Sequence, residues 1–145
     1  MKRLFSKLAA LVVALAVSVP LASATPPTAI TPIAPLNPIA PVTALSADVL
    51  PTAADASNGN SVTLTGREII LVLNTDTGSH TVTFTSTPDS QGRSGDITSY
   101  AVAAGVYSLF GPFPLNGWLG SNGSMTFSSN SALVKFFVIR LPHIN

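Results

Sequence analysis

Arg67-Glu-Ile-Ile-Leu-Val-Leu-Asn74 is the densest strand-forming stretch of the 145-residue sequence, and Leu133-Val-Lys-Phe-Phe-Val-Ile-Arg140 matches it near the end. The first contains an unbroken apolar run, and in the second only Lys135 interrupts the run. Neither stretch alternates apolar with polar residues, which is typical of strands covered on both faces. We therefore expect two strands that are buried on both faces, of which Arg67–Asn74 is a central strand.

Shorter strands are predicted between and before these two, because polar and apolar residues alternate there and turn residues separate them. In residues 79–86, for example, Val82 and Phe84 should point inward and the threonines outward. Together the predicted strands cover residues 61–65, 67–74, 79–86, 97–103, 106–110, 124–128 and 133–141. This spacing predicts an all-β fold, a small antiparallel β-sandwich or jelly-roll-like domain over residues 58–145.

Residues 1–24 have the organisation of a secretory signal. Lys2, Arg3 and Lys7 precede a mostly apolar stretch over residues 8–19, and Ala22-Ser-Ala24 provides small residues for cleavage. The apolar stretch is short for a membrane-spanning helix. We expect a helix over residues 3–19, with cleavage near Ala24. The alternative is an uncleaved helix that packs into an assembly or anchors the chain to a membrane.

Residues 25–57 form a predicted extended arm rich in proline. Prolines recur at every third position from residue 32 to residue 41, and a row of aliphatic residues follows the same period. Polyproline II has three residues per turn, so the arm would present one aliphatic edge and extend about 40 Å over residues 30–43. A stiff spacer needs no such edge, and we therefore predict that the edge docks on the chain's own domain or on a neighbour. Its residues are the predicted partner-binding residues Ile30, Ile33, Leu36, Ile39 and Val42.

Composition narrows the classes of function. Only 9% of the residues are charged, and from residue 25 onward the chain has four basic and six acidic residues. A basic surface for nucleic acid is therefore not expected. The chain has no cysteine, which excludes disulfides and thiolate chemistry. No glycine-rich phosphate loop is present, and no cofactor is expected.

Few residues offer candidate chemistry. Asp76 and His80 flank a hairpin turn and could meet, but the chain has only two histidines, so a metal site is not expected. A Ser-His-Asp arrangement is formally available without a nucleophile motif, and we predict no catalytic residue. Arg93 and Asp96 are expected to pair and hold a long loop. The aromatic residues Tyr100, Tyr107, Phe113 and Trp118 could form a platform for a glycan.

The segment from residue 66 to residue 141 resembles a family of small β-sandwich proteins found among the virion and head-decoration proteins of tailed phages. The resemblance rests on a series of short motifs in order: Glu68-Ile-Ile-Leu-Val-Leu-Asn74, His80-Thr-Val-Thr-Phe84, Gly92-Arg-Ser-Gly-Asp-Ile97, Val102-Ala-Ala-Gly105, Phe110-Gly-Pro-Phe-Pro114 and the strand ending at Leu141. It implies a non-enzymatic shell protein, often a multimer, that sits on a capsid lattice and stabilises it. It implies no catalytic residues.

The predicted function is therefore a structural virion protein that decorates a capsid, with the arm buried on neighbouring subunits and the β-domain displayed outside. Its partners would be copies of itself or a capsid lattice. The export-like N-terminus and the arm depart from the family pattern. They leave a second interpretation open, in which the chain is an exported extracellular or surface module that could bind a glycan.

Overall fold

A computed structural model describes residues 24–33 and 49–142, and within them the chain forms nine β-strands and no helix. The strands are β1 (Thr28–Ala29), β2 (Thr52–Ala53), β3 (Asn60–Thr63), β4 (Glu68–Asn74), β5 (His80–Thr85), β6 (Ile97–Val102), β7 (Tyr107–Phe110), β8 (Ser124–Ser129) and β9 (Val134–Arg140). All seven predicted strands are present, with bounds shifted by at most two residues. The all-β prediction is confirmed for this part of the chain, and the helix predicted over residues 3–19 lies outside it. No helix here is long and apolar enough to span a membrane.

The strands form two sheets. The first sheet has five strands in the order β1-β3-β8-β5-β6, and the second has four in the order β2-β9-β4-β7. Every pairing is antiparallel except that of β1 with β3, which is parallel. The two long apolar strands, β4 and β9, pair over seven residues at the centre of the second sheet. The prediction that Arg67–Asn74 forms a central strand is confirmed.

The inner faces of the two sheets meet in one apolar core. Phe84 of the first sheet has its ring centroid 4.6 Å from that of Phe110 in the second sheet. Phe127 and Phe136 make a second contact between the sheets, edge to face at 4.8 Å. Val82 and Phe84 are completely buried, as the alternation in β5 predicts. These aromatic contacts fix how the sheets pack, because large rings bury the most apolar area per residue.

The prediction that β4 and β9 are buried on both faces is wrong for the described structure. Along both strands, buried residues alternate with half-buried ones. Ile70 and Val72 point into the core, whereas Ile69, Leu71 and Leu73 point to the other side of the sheet. An unbroken apolar run cannot distinguish a strand covered on both sides from one with an apolar outer face. The second sheet is of the latter kind.

Two pieces of the predicted arm are part of the sheets. Thr28 and Ala29 pair with β3, after which the chain crosses to the second sheet, where Ile33 forms a parallel bridge with Ile139. Thr52 and Ala53 pair with β9 on the same edge of the second sheet. Both pieces precede residue 58, where the sequence places the start of the domain. The rest of the predicted arm, residues 34–48, lies outside the described residues.

Candidate functional site

The first hairpin brings Asp76 and His80 together, as the sequence suggests. The Nε2 atom of His80 lies 2.7 Å from Oδ2 of Asp76. Asn74 fixes the turn from below, because its side-chain NH2 donates to the carbonyl of Gly78 and to that of Val102. The hydrogen bond from His80, with a second from the backbone N–H of Thr77, lowers the pKa of Asp76. The pair therefore locks the turn between β4 and β5.

The second ring nitrogen of His80 shows that the Asp76–His80 pair has no third member. Nδ1 is buried and has no hydrogen-bond partner among the described residues. No serine hydroxyl is bonded to this ring there, so the described geometry does not assemble a Ser-His-Asp relay. In residues 24–33 and 49–142, no three side chains of the metal-ligating types lie close enough together to hold an ion.

The predicted pair of Arg93 and Asp96 is wrong. Arg93 Nε instead donates to Oδ2 of Asp89 at 2.7 Å, and the carboxylate of Asp89 also accepts the backbone N–H groups of Gln91 and Arg93. Asp89 therefore closes a tight turn that brings Arg93 back towards it. Asp96 serves the other end of the loop, where it accepts both the backbone N–H and the hydroxyl of Ser86.

The four aromatic residues suggested for a glycan platform do not come together. Phe113 is in the core at 2% exposure, and Trp118 packs edge to face against it at 4.8 Å. Tyr100 covers the ring of Phe110, while Tyr107 lies on the outer side of the second sheet. Of these four aromatic residues, only Trp118 borders a shallow cavity of about 290 Å³. The cavity is also lined by Thr87, Ser121, Asn122 and other polar residues. A shared aromatic platform is therefore not formed.

A buried carboxylate was missed by the sequence analysis. Glu68 is completely buried at the start of β4, where it accepts hydrogen bonds from the N–H and hydroxyl of Thr65 and from the N–H of Arg67. Arg140 Nε donates to it at 2.6 Å across the β4–β9 pair. Burial raises the pKa of Glu68, but the bonds from Thr65, Arg140 and Arg67 outweigh it and lower that pKa to about 2. This cluster is a structural tie between two central strands.

The structure accounts for two of the five predicted partner-binding residues. Ile30 is 8% exposed and belongs to the core of its own chain. Ile33 is half-buried beside β9, with its N–H bonded to the carbonyl of Val138 and its carbonyl to the N–H of Arg140. Both therefore contact the chain's own sheets. Leu36, Ile39 and Val42 lie outside the described residues.

The most distinctive surface is the outer side of the second sheet, which we call the outer sheet face. On β4, β7 and β9 the residues that alternate with core residues are all apolar except Lys135. By the strand spacing of about 4.8 Å and rise of about 3.3 Å, they cover on the order of 300 Å². Tyr107 and Leu109 are 57% and 63% exposed. The outer sheet face consists of Ile69, Leu71, Leu73, Tyr107, Leu109, Phe137 and Ile139.

Comparison of the chain with protein-family models, with curated proteins and with solved structures found no match. No family, ligand or residue role can therefore be transferred from a relative. The functional argument rests on the surfaces of this chain alone.

Proposed function

We propose that this chain is a non-enzymatic structural subunit of a larger protein assembly, which it contacts through the outer sheet face. The observation that supports this is the contiguous apolar surface on three adjacent strands, with a single cation at its margin. The largest apolar patch on a typical soluble monomer covers about 300–600 Å² and is often functional. The depletion of charge at the centre of the face fits a protein partner better than a polar ligand.

The specific form of this proposal is a virion protein that decorates or stabilises a phage capsid. It draws on the resemblance of residues 66–141 to capsid-decorating proteins and takes the two sheets as a β-sandwich of the jelly-roll kind. In this proposal the outer sheet face and the arm residues Leu36, Ile39 and Val42 bind neighbouring subunits. Ile30 and Ile33 have a different role, because they hold the arm's first part to the domain.

The outer sheet face is tested by adding charge at its centre. We expect the double variant Leu71→Lys/Phe137→Lys to remain folded by circular dichroism but to lose co-sedimentation with assemblies purified from the native source. Thr126→Lys/Ser128→Lys is the matched control, since it adds the same two charges to half-buried positions on a central strand of the first sheet. If the outer-face variant co-sediments as well as the control, the face is not the docking surface.

The arm is tested separately. Changing Leu36, Ile39 and Val42 together to serine should abolish co-sedimentation while the unfolding transition of the β-domain is retained. Unchanged co-sedimentation would remove the arm from the proposal and leave the outer sheet face in place.

A second candidate function is that of an exported surface module, and the position of β1 favours it. Among the described residues, Thr28 is the first that belongs to a strand, and it lies four residues after Ala24. Cleavage after Ala24 would thus keep every strand residue of the described structure. The intact mass of the protein from its native source decides this point. A mass of residues 25–145 supports export, and a full-length mass supports retention of the apolar segment in an assembly or as a membrane anchor.

In this second candidate function, the cavity beside Trp118 is the candidate site for a glycan. Sugars stack on aromatic rings and bond to hydroxyl and amide groups, which are the groups that line this cavity. A glycan array screened with the wild-type protein and with Trp118→Ala tests it. Binding that the variant loses would support a glycan site, and no binding to any glycan would exclude it for the glycans on the array.

A further inference from the structure

The two sheets have four edge strands, and three of them carry features that hinder pairing with another chain. β1 is flanked by Pro26, Pro27 and Pro32, and β2 has two residues and follows Pro51. In β6 the pairing register shifts, and Ser99 has a positive φ of 51°. Prolines, short strands and irregular backbones are the usual means by which natural sheets prevent pairing between edges.

The fourth edge, β7, is regular within the strand itself, although it has only four residues and Pro112 follows two residues after its end. Tyr107–Phe110 contains neither a proline nor a charged residue, and its register with β4 is regular over all four residues. Tyr107 and Leu109 are both more than half exposed. An uncharged, regular edge strand with exposed apolar side chains is a template for a further strand.

The backbone groups that β7 offers follow from its pairing with β4. Asn74 donates its N–H to the carbonyl of Val106, which places residue 74 at a hydrogen-bonded position of the ladder, while the N–H of Val106 itself is bonded to Ala103. Because such positions alternate in an antiparallel ladder, Ser108 and Phe110 direct their backbone groups to β4. The N–H and C=O groups of Tyr107 and Leu109 therefore point away from it. In the described part of the chain, no backbone group of a turn or loop is hydrogen-bonded to them.

We propose that β7 pairs antiparallel with β7 of a second copy of this chain, about a two-fold axis at Ser108. In this register Tyr107 lies opposite Leu109 of the second copy, and the two exchange backbone hydrogen bonds. The symmetric pair does the same, which gives four hydrogen bonds and satisfies every free group of Tyr107 and Leu109. The two second sheets become one eight-stranded sheet.

A second copy fits this edge because the strand is complementary to itself. A two-fold contact uses the same patch on both subunits, so each residue must tolerate its symmetric counterpart. Centring at Ser108 puts two hydroxyl side chains at the axis and an aromatic ring beside an aliphatic side chain on either side of it. Residues facing outward meet residues facing outward, and no like charges oppose each other, since β7 carries none. The outer sheet faces of the two copies then form one continuous surface.

This dimer goes beyond the proposed function and does not depend on it. It uses the backbone edge of β7, whereas docking to an assembly is tested at Leu71 and Phe137 on β4 and β9, which form none of the hydrogen bonds between the two copies. Failure of one therefore leaves the other intact.

Disulfide trapping tests the register in the full chain, which contains no native cysteine. At the axis, Ser108 faces its counterpart in a non-hydrogen-bonded pair with Cα atoms about 4.5 Å apart, a separation that a disulfide spans. We expect Ser108→Cys to form a covalent dimer under mild oxidation and Thr98→Cys, at the exposed edge strand β6, to remain monomeric. A monomeric Ser108→Cys protein, or equal cross-linking of both variants, would overturn the proposal.

Sedimentation equilibrium provides a second measurement that needs no cross-link. The wild-type chain should show a mass that rises with concentration from one copy towards two. Leu109→Lys should weaken this dimer at least tenfold, because it sets a charge beside the axis on each copy, while Thr98→Lys should leave the dissociation constant unchanged. A wild-type monomer at all concentrations would contradict the proposal.

Discussion

Glu68 and Arg140 form the one ion pair in the described residues whose carboxylate is completely buried. Burying a carboxylate is costly unless its oxygen atoms are hydrogen-bonded, and here both are: Oε2 by the two backbone N–H groups of Thr65 and Arg67, and Oε1 by Thr65 Oγ1 and Arg140. Arg140 also donates to the carbonyl of Thr63. The cluster thus connects the loop before β4, the start of β4 and the end of β9.

Glu68→Gln should destabilise the fold in a pH-dependent way. The pKa of Glu68 is lowered from 4.5 to about 2 in the folded chain, so its charge stabilises the fold above pH 4.5 and this contribution is lost as the pH falls towards 2. From this lowered pKa we expect a loss on the order of 3 kcal/mol at pH 7. Urea unfolding at pH 7 and at pH 2.5 measures it.

Asp89→Asn is the control for this prediction, since it removes a carboxylate from an exposed ion pair. It should cost much less at pH 7 than Glu68→Gln does. Equal stability of Glu68→Gln and wild type at pH 7 would show that the buried cluster does not stabilise the fold.

Gly111 is the residue at which backbone conformation and close packing coincide. Its φ is 101°, and a Cβ atom there would lie 2.8 Å from the carbonyl oxygen of Glu68. Gly111→Ala should therefore lower the free energy of unfolding by about 2–3 kcal/mol. Gly92→Ala has the same kind of positive φ with open space around it, so it isolates the backbone term. Thermal unfolding should show a clearly larger loss for Gly111→Ala, and equal losses would mean that the contact is relieved freely.

At the scale of elements, the segment from Thr28 to Ile33 ties the two sheets together. Asp55 accepts the hydroxyl of Thr28 and the backbone N–H groups of Ser57 and Asn58, which holds β1 beside the turn before β3. The side-chain bond from Asn58 is the largest of the contacts that lower the pKa of Asp55 to about 2. Ile30 then enters the core, and Ile33 joins the second sheet.

Ile30→Ala tests whether this segment is part of the fold. Removing a buried isoleucine side chain should cost about 2–4 kcal/mol, through lost burial and the cavity left behind. Val49→Ala is the matched control, because Val49 is 40% exposed and its truncation should cost less than about 1 kcal/mol. Denaturant unfolding of the two variants compares them. A negligible cost for Ile30→Ala would mean that the segment is not docked on its own domain.

Most elements could be predicted because their signals are local. The alternation in β5 depends on neighbouring residues only, and the structure buries Val82 and Phe84 as that alternation predicts. β1 and β2 could not be predicted in this way, since each has two residues and exists through pairing with a distant strand. The proline-rich sequence around them predicts an extended arm, but it does not predict the strands with which that arm pairs.

The candidate sites divide along the same line. Asp76 and His80 are four residues apart, and their contact follows from the hairpin. Arg93 pairs with Asp89 and not with Asp96, because Asp89 also accepts the backbone N–H of Arg93 in the same turn. The spacing of the residues in the sequence does not predict this turn. Glu68 and Arg140 are 72 residues apart. Only the register of β4 with β9 shows that the charged ends of two apolar strands meet.

For the whole molecule, the low charge has a structural counterpart. The sequence has 9% charged residues, and in the described part the apolar outer sheet face extends onto a regular, uncharged edge strand. A monomer gains nothing from either feature, because exposed apolar area and free strand edges favour association. Both features are consistent with our proposal that this chain is a subunit that functions in contact with other proteins.

The most direct test of that claim is sedimentation velocity of the protein released from its native source without denaturation. We expect most of the protein to sediment in particles much larger than a dimer, and mild dissociation to yield the smaller species. A single boundary at the mass of the free chain or its dimer, with none in larger particles, would contradict the claim that this protein is a subunit of a larger assembly.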